Sequence, residues 1–310
     1  MHIRDAIKAA AEKLAAAGIE NPNHDSRILL SHTLDFSVEK IIGYPENLVS
    51  EKHFKKYWQL IKRRAKHEPV AKIIGKKEFW GREFFVNQHV LDPRPDSETL
   101  IEAVLEYLTF SYPASGGRLG GEWSENKDHP HPNPPPQAGE GNLRIIDLGT
   151  GTGCLLLTLI CELNNATGIG VDISDAALKI ARKNANNLGV RKRAKFKKSN
   201  WFEKISGKFD LIISNPPYIR KNAIKNLSDD VKKYDPIMAL DGGEDGLEPY
   251  KKIISEVHNF LKPDGLVCFE FGKGQAKTIS KILQKNKFEI LNIYKDLAGI
   301  ERCILARKSA

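Results

Sequence analysis

A chain of 310 residues with 41% apolar and 28% charged side chains has the composition of an ordinary globular protein, which excludes general disorder. At roughly 150 residues per domain it holds about two domains, enough to hide roughly three quarters of its unfolded surface. Lys and Arg total 48 against 39 Asp and Glu, a net charge of +9 that favours acidic partners without naming one. Cys154, Cys161, Cys268 and Cys303 form no C-x-x-C pair. That spacing excludes a zinc ribbon and a disulfide framework, so no metal and a reducing compartment are expected. The longest apolar run, 154–161, is broken by Thr158 and is far short of the ~20 residues of a membrane helix. With no signal-peptide pattern after Met1, the expectation is a cytoplasmic protein.

Residues 1–70 read as a small helical bundle. Ile3, Ile7, Ala10 and Leu14 keep helical spacing, and Gly18 supplies a stop. Ile28, Leu29, His32 and Leu34 mark a second helix. A third is predicted over 53–66, with Phe54, Tyr57, Trp58 and Ile61 facing the core. Its Lys55, Lys56, Lys62, Arg63, Arg64 and Lys66 form a solvated or docking face. Over 71–92 the rhythm changes: Phe79, Trp80, Phe84, Phe85 and Val86, with Gly75 and Gly81, predict a short hairpin linking two domains. Pro93 and Pro95 fix an extended lead-in to a helix over 99–108 that Asp96 or Ser97 can cap.

Residues 111–142 contain six Pro and six Gly in 32 positions and read as a disordered surface insertion. From 143 onward strands and helices alternate, predicting a parallel α/β sheet with helices on both faces. Strands are expected at 143–148, 167–172, 194–198, 209–214, 265–271, 288–294 and 301–306, and helices at 153–163, 175–187, 250–260 and 275–284. The expected organisation is thus a helical domain at 1–70, a hairpin linker at 71–98 and an α/β domain at 99–310.

Asp147-Leu-Gly-Thr-Gly-Thr-Gly153 follows a hydrophobic strand and opens an apolar helix. Gly149, Gly151 and Gly153 let a ligand approach the backbone, and the helix start favours an anionic group by about 0.3–1 kcal/mol. The loop lacks the Gly-Lys-Ser/Thr ending of a phosphate loop and is tighter than Gly-x-Gly-x-x-Gly. Asp147 would repel a pyrophosphate but suits a cationic amino group, which points to the methionine end of S-adenosylmethionine. Asp172, ending the next strand, either accepts two ribose hydroxyls or caps the following helix. Trp201 either stacks on an adenine or belongs to the core.

The decisive segment is Asn215-Pro-Pro-Tyr218, after the apolar strand at 209–214. Pro216 and Pro217 stiffen the turn, so the Asn215 side-chain oxygen and the Pro216 carbonyl can converge on a planar –NH2 group. Tyr218 offers a face against which that group can lie. An amide nitrogen is a weak nucleophile, and two fixed acceptors would assist it by positioning rather than by strong base.

With these segments the chain resembles the protein-(glutamine N5) methyltransferases that modify class I peptide chain release factors. The likeness extends through Gly75-Lys-Lys-Glu-Phe-Trp-Gly81, Pro93-Arg-Pro-Asp-Ser-Glu98, Tyr234-Asp-Pro236, Ala239-Leu-Asp-Gly-Gly-Glu-Asp-Gly246 and Glu270-Phe-Gly-Lys-Gly-Gln275. It implies a seven-stranded Rossmann-like domain binding S-adenosyl-L-methionine, preceded by a helical domain that helps hold the release factor. The implied substrate is the glutamine of a Gly-Gly-Gln motif. By match, Gly149, Thr150, Gly151, Thr152, Gly153, Asp172, Trp201 and Asn215 contact the cofactor, while Asn215, Pro216, Pro217 and Tyr218 hold the glutamine. Arg94 is either a contact near the site or a structural ion pair.

Asn-Pro-Pro-Tyr alone is shared with methyltransferases of exocyclic base amines, and six basic residues within 191–198 are the best support for that alternative. The run overlaps a predicted edge strand, where positive charge blocks unwanted pairing, so no direct nucleic-acid substrate is expected. An intact loop and turn argue against a scaffold that has lost catalysis.

Overall fold

The computed structural model describes residues 1–111 and 142–309. Apart from its two end residues, the insertion expected at 111–142 lies outside the described residues.

The chain opens with α1 (Ile3–Ala16), α2 (Pro22–Leu34), α3 (Val38–Gly43), α4 (Glu51–Arg64) and α5 (Val70–Ile74). Ser37 and Ser50 begin α3 and α4 by accepting from Lys40 N and His53 N, each at 3.3 Å. Ile3, Leu14, Leu29, Leu30, Ile41, Tyr57 and Ile61 form the bundle core, and the Tyr57 hydroxyl donates to Ser26 O at 3.1 Å. Periodicity reveals α1, α2 and α4 but not α3 and α5, which are too short to show a period.

The expected hairpin is β1 (Lys76–Phe79) paired antiparallel with β2 (Arg82–Phe85). Its turn residues Trp80 and Gly81 both have positive φ, 53° and 64°. A single 3-10 turn at Pro95–Ser97 then leads into α6 (Glu98–Ser111). The expected Asp96 or Ser97 cap is not made: Asp96 pairs with Arg302 at 2.9 Å, and Ser97 faces Asn215.

The α/β part runs β3 (Leu143–Leu148), α7 (Cys154–Glu162), β4 (Ala166–Asp172), α8 (Asp175–Asn187), β5 (Ala194–Lys198), β6 (Phe209–Ser214), α9 (Asp229–Tyr234), α10 (Glu248–Glu256), β7 (Leu261–Glu270), α11 (Ala276–Lys285), β8 (Phe288–Lys295) and β9 (Glu301–Lys308). Its strands form one sheet in the order β5-β4-β3-β6-β7-β9-β8. The expected parallel sheet is found for β3 to β7, with one correction at its end: β9 runs antiparallel to both neighbours. A connection as short as residues 296–300 permits only an antiparallel pair. Apolar side chains cover both faces, Leu156, Leu159 and Val104 on one and Tyr250, Ile253 and Ile279 on the other.

The chain winds outward from β3 to β5 and returns to the other side of β3 at β6. This reversal opens a crevice beyond the carboxyl ends of β3 and β6, where open α/β sheets bind ligands. The segments after those two strands are the glycine loop and the Asn-Pro-Pro-Tyr turn. At the far edge, β5 presents Lys195, Lys197 and Lys198 to solvent, as expected of a charged edge strand. No helix among the described residues is long and apolar enough to cross a membrane.

Candidate active site

Gly149, Gly151 and Gly153 have φ of 73°, 53° and 81°, a left-handed path that other residues enter only with strain. Val171 O accepts from both Gly149 N and Thr150 N, at 2.9 and 2.8 Å, fastening the loop to β4. Thr150 and Thr152 turn inward: Thr150 Oγ1 donates to Asp147 Oδ2 at 2.5 Å, and Thr152 Oγ1 accepts from Cys154 N at 3.3 Å. The loop therefore offers backbone rather than hydroxyls to a ligand. Asp172 accepts from Gly151 N at 3.0 Å and Ser174 N at 2.8 Å, while Ser174 itself caps α8. Trp201, at φ 50°, lays its ring over the loop, where a Cβ on Gly149 would stand 3.6 Å from Cζ3.

Asp147 is 1% exposed, and its Oδ1 has no hydrogen-bond partner among the described residues. Burial pushes this carboxyl up to about 7, opposed by the Thr150 hydrogen bond.

The Asn215–Tyr218 turn is held from behind by the glycine-rich loop 239–246. Ile219 N donates to Leu240 O at 3.0 Å and Gly242 N to Ile219 O at 2.8 Å. A Cβ on Gly242 would sit 2.9 Å from Pro217 O, and one on Gly246 would sit 2.5 Å from Tyr218 O. Glycine at both positions lets the two backbones close on each other. Gln275 completes the clamp, donating to Tyr218 O and Gly246 O at 3.1 Å each.

In front of the turn lies a cleft of about 320 Å³. Asn215, Tyr218, Arg94, Asp96, Glu270 and Arg302 supply its polar wall, and Leu91, Leu227, Val231 and Leu240 part of its apolar wall. Asn215 Nδ2 donates to Ser97 Oγ at 3.2 Å. Glu270, the last residue of β7, is 2% exposed, and burial raises its carboxyl to about 7. Burial also pushes the Tyr218 phenol up to about 12, so it stays neutral.

Arg94 reaches Asp235 Oδ2 at 2.7 Å while half exposed to the cleft, so it is both an ion pair and a wall residue. Asp235 is buried and also faces Lys72 of α5, with Nζ 2.6 Å from Oδ1, a charge contact rather than an aligned hydrogen bond. Lys72 further donates to Tyr234 O at 2.7 Å and Val90 O at 3.0 Å and stands 3.6 Å from Asp92.

The structure therefore places the expected residues in two groups: Gly149–Gly153, Asp172 and Trp201 beyond β3, β4 and β5, and Asn215 with Tyr218 on the cleft beyond β6. Pro216 is buried, and neither proline lines the cleft. Sequence reasoning overlooked the positions of Ser97, Glu270 and Asn184. Asn184 is fully buried and binds both Phe85 N and O, at 2.7 and 3.1 Å, and Thr152 O at 2.9 Å. A signal existed for Glu270, a lone acid ending an apolar strand, but none for Ser97 or Asn184, whose partners are remote in sequence.

A family model described as a methyltransferase domain matches residues 140–300, and one described as the PrmC N-terminal domain matches residues 5–75. The hMettl16 catalytic domain superposes with a TM-score of 0.53 at 15% identity, covering 87% of this chain and 84% of that one. A methyltransferase from Pyrococcus furiosus gives 0.50 at 17% identity, covering 80% and 99%. Fold and site together thus define a Rossmann-like methyltransferase. The release factor glutamine methyltransferase of Rhodospirillum rubrum is 38% identical over 98% of this chain and 84% of its own length. That of Agrobacterium fabrum is 38% identical over 97% and 95%. A bifunctional methyltransferase of Rickettsia felis is 36% identical, with this chain spanning 57% of it. The chain belongs to the release factor glutamine methyltransferase family.

Proposed function

We propose that this protein transfers a methyl group from S-adenosyl-L-methionine to the N5 side-chain amide nitrogen of the glutamine in the Gly-Gly-Gln motif of class I peptide chain release factors. The observation that carries the reading is the Asn215–Tyr218 turn, clamped rigid and facing a cleft across the switch point from the glycine loop. The residues present fit the methyl donor: the unpartnered Oδ1 of buried Asp147 suits an ammonium group, and Trp201 and Asp172 flank the loop. When bound, the donor would supply a sulfonium-bound, electrophilic methyl carbon.

On the protein side, the task is to orient a reluctant nucleophile. Asn215 Oδ1, on the cleft, would accept an amide N–H and aim the nitrogen, while the neutral Tyr218 ring supports the carboxamide plane. The apolar wall would help to shield the amide from water. We assign residues 1–70 to holding the release factor, 71–98 to linking and 99–310 to transfer, with the reaction taking place in the cytoplasm.

Mass spectrometry of an intact release factor and of a Gly-Gly-Gln peptide, before and after incubation with the donor, tests this. One methyl group is expected on the glutamine, and Asn215→Ala should reduce the rate by about 10²-fold or more. Transfer to RNA alone would replace the reading with a base-amine methyltransferase.

A further inference from the structure

Asn215 can hold a substrate amide only if its oxygen, not its amino group, faces the cleft. Nothing within the turn decides this, because a carboxamide can rotate by half a turn with little change of shape. The deciding contacts come from two other elements. Asn215 Nδ2 donates to Ser97 Oγ at 3.2 Å, and Ser97 and Asn215 both favour the ionised form of the buried Glu270 carboxyl, which lines the same cleft. We infer that Glu270 is a positioning residue that fixes the direction of this chain, so that Asn215 presents Oδ1 to the cleft. The inference rests on the proposed role of Asn215 as acceptor.

The logic is one of donors and acceptors. A carboxylate only accepts, so an ionised Glu270 would draw the single Ser97 hydroxyl proton. The Ser97 oxygen must then accept from Asn215 Nδ2, and the second Nδ2 hydrogen is free for Glu270 itself. Both amino hydrogens are thereby committed away from the substrate. A protonated Glu270 can donate instead, which frees Ser97 to donate to Asn215 Oδ1 and lets the carboxamide turn. It would then meet the substrate N–H groups with its own.

Glu270 is suited to act through this chain. It is 2% exposed, it lines the cleft, and its Oε2 has no hydrogen-bond partner among the described residues. Burial holds its carboxyl near neutrality, against the lowering effects of Ser97, Arg302 and Asn215. Asp96, before α6, opposes ionisation, and Arg302 of β9 favours it. Tyr218 and Cys154 also feel its charge, Cys303 pairs with it across β9, and the Tyr250 hydroxyl donates to its backbone carbonyl at 2.7 Å.

The test has a readout independent of turnover. In protein with ¹⁵N-labelled asparagine, the Asn215 side-chain NH2 signals, assigned by their loss in Asn215→Asp, are followed between about pH 5.5 and about pH 8.5. They should shift with a midpoint near neutrality in wild type and stay constant in Glu270→Gln. Ser97→Ala, which cuts the chain at its middle, should abolish the same shift and guards against misfolding of the first variant. In turnover assays, Glu270→Gln should lower kcat about tenfold or more, leave KM for the release factor within about threefold, and remove the acid limb of the rate profile. Asn215 signals that titrate alike in all three proteins, or wild-type turnover in Glu270→Gln, would overturn the inference. A wild type that methylates no release factor would overturn the functional reading instead, while the titration still decides the role of Glu270.

Discussion

A buried carboxylate tied to one hydroxyl responds to pH in a calculable way. The Asp147 carboxyl is raised by burial to about 7, whereas in the unfolded chain it ionises near its ordinary value of 3.8. The folded state therefore holds more protons between those values. The neutral form stabilises the fold at low pH, and that contribution is lost as pH rises toward about 7. In urea melts, wild type should lose on the order of 2–3 kcal/mol more than Asp147→Asn between about pH 5 and about pH 8. Equal losses would contradict the assigned burial. At Gly242 the constraint is steric. Alanine would bring Cβ to 2.9 Å from Pro217 O and Tyr218 C, so the turn must shift. Gly242→Ala should lower methyl transfer by about tenfold or more, because a displacement of about 1 Å at a reacting group is that severe. Donor affinity, measured by calorimetry, should change little, since the glycine loop lies beyond a different strand.

Elements communicate through single buried side chains. Asn184 on α8 joins the β1–β2 hairpin to the glycine loop by satisfying Phe85 N, Phe85 O and Thr152 O together. Truncation leaves these backbone groups without their partner inside a packed interior. Asn184→Ala should destabilise the protein by about 3 kcal/mol in urea and weaken donor binding several-fold, because Thr152 belongs to the loop. Unchanged donor affinity would restrict Asn184 to holding the hairpin. The lysines of β5 answer to a different pressure. Its register leaves one side of the strand unpaired at the sheet edge, with Lys195 and Lys197 exposed. Replacing both with valine should leave the melting midpoint nearly unchanged while light scattering rises with protein concentration.

Across the molecule, the helical bundle and the α/β part meet at a buried charge cluster. Lys72 comes from the bundle, Asp92 and Arg94 from the segment before α6, and Asp235 from the end of α9. Lys72 and Asp235 are 8% and 6% exposed, so removing one partner strands the other in low dielectric. Lys72→Met should cost about 3–5 kcal/mol and split unfolding into two transitions, seen as non-coincident probes in the two parts. Arg94→Ala should cost much less, since that side chain remains half solvated. Because Arg94 also lines the cleft, its loss should nevertheless affect substrate handling.

Local pattern was enough to read the seven strands, the three long helices of the bundle, the charged edge and the two segments that the fold places beyond β3 and β6. Each is written in consecutive residues: apolar runs punctuated by glycine or proline, and an acid or amide at a strand end. The reversal of strand order that brings Gly149–Gly153 beside Asn215 came only with the fold, as did the antiparallel course of β9. The same holds for Ser97, 118 positions from Asn215 in the chain, and for Asn184, 99 from Phe85. Periodicity records which face of an element is buried; it carries no information about which remote polar group will satisfy a buried hydrogen bond. That choice is made when the elements pack, and the arrangement of the candidate active site follows from it.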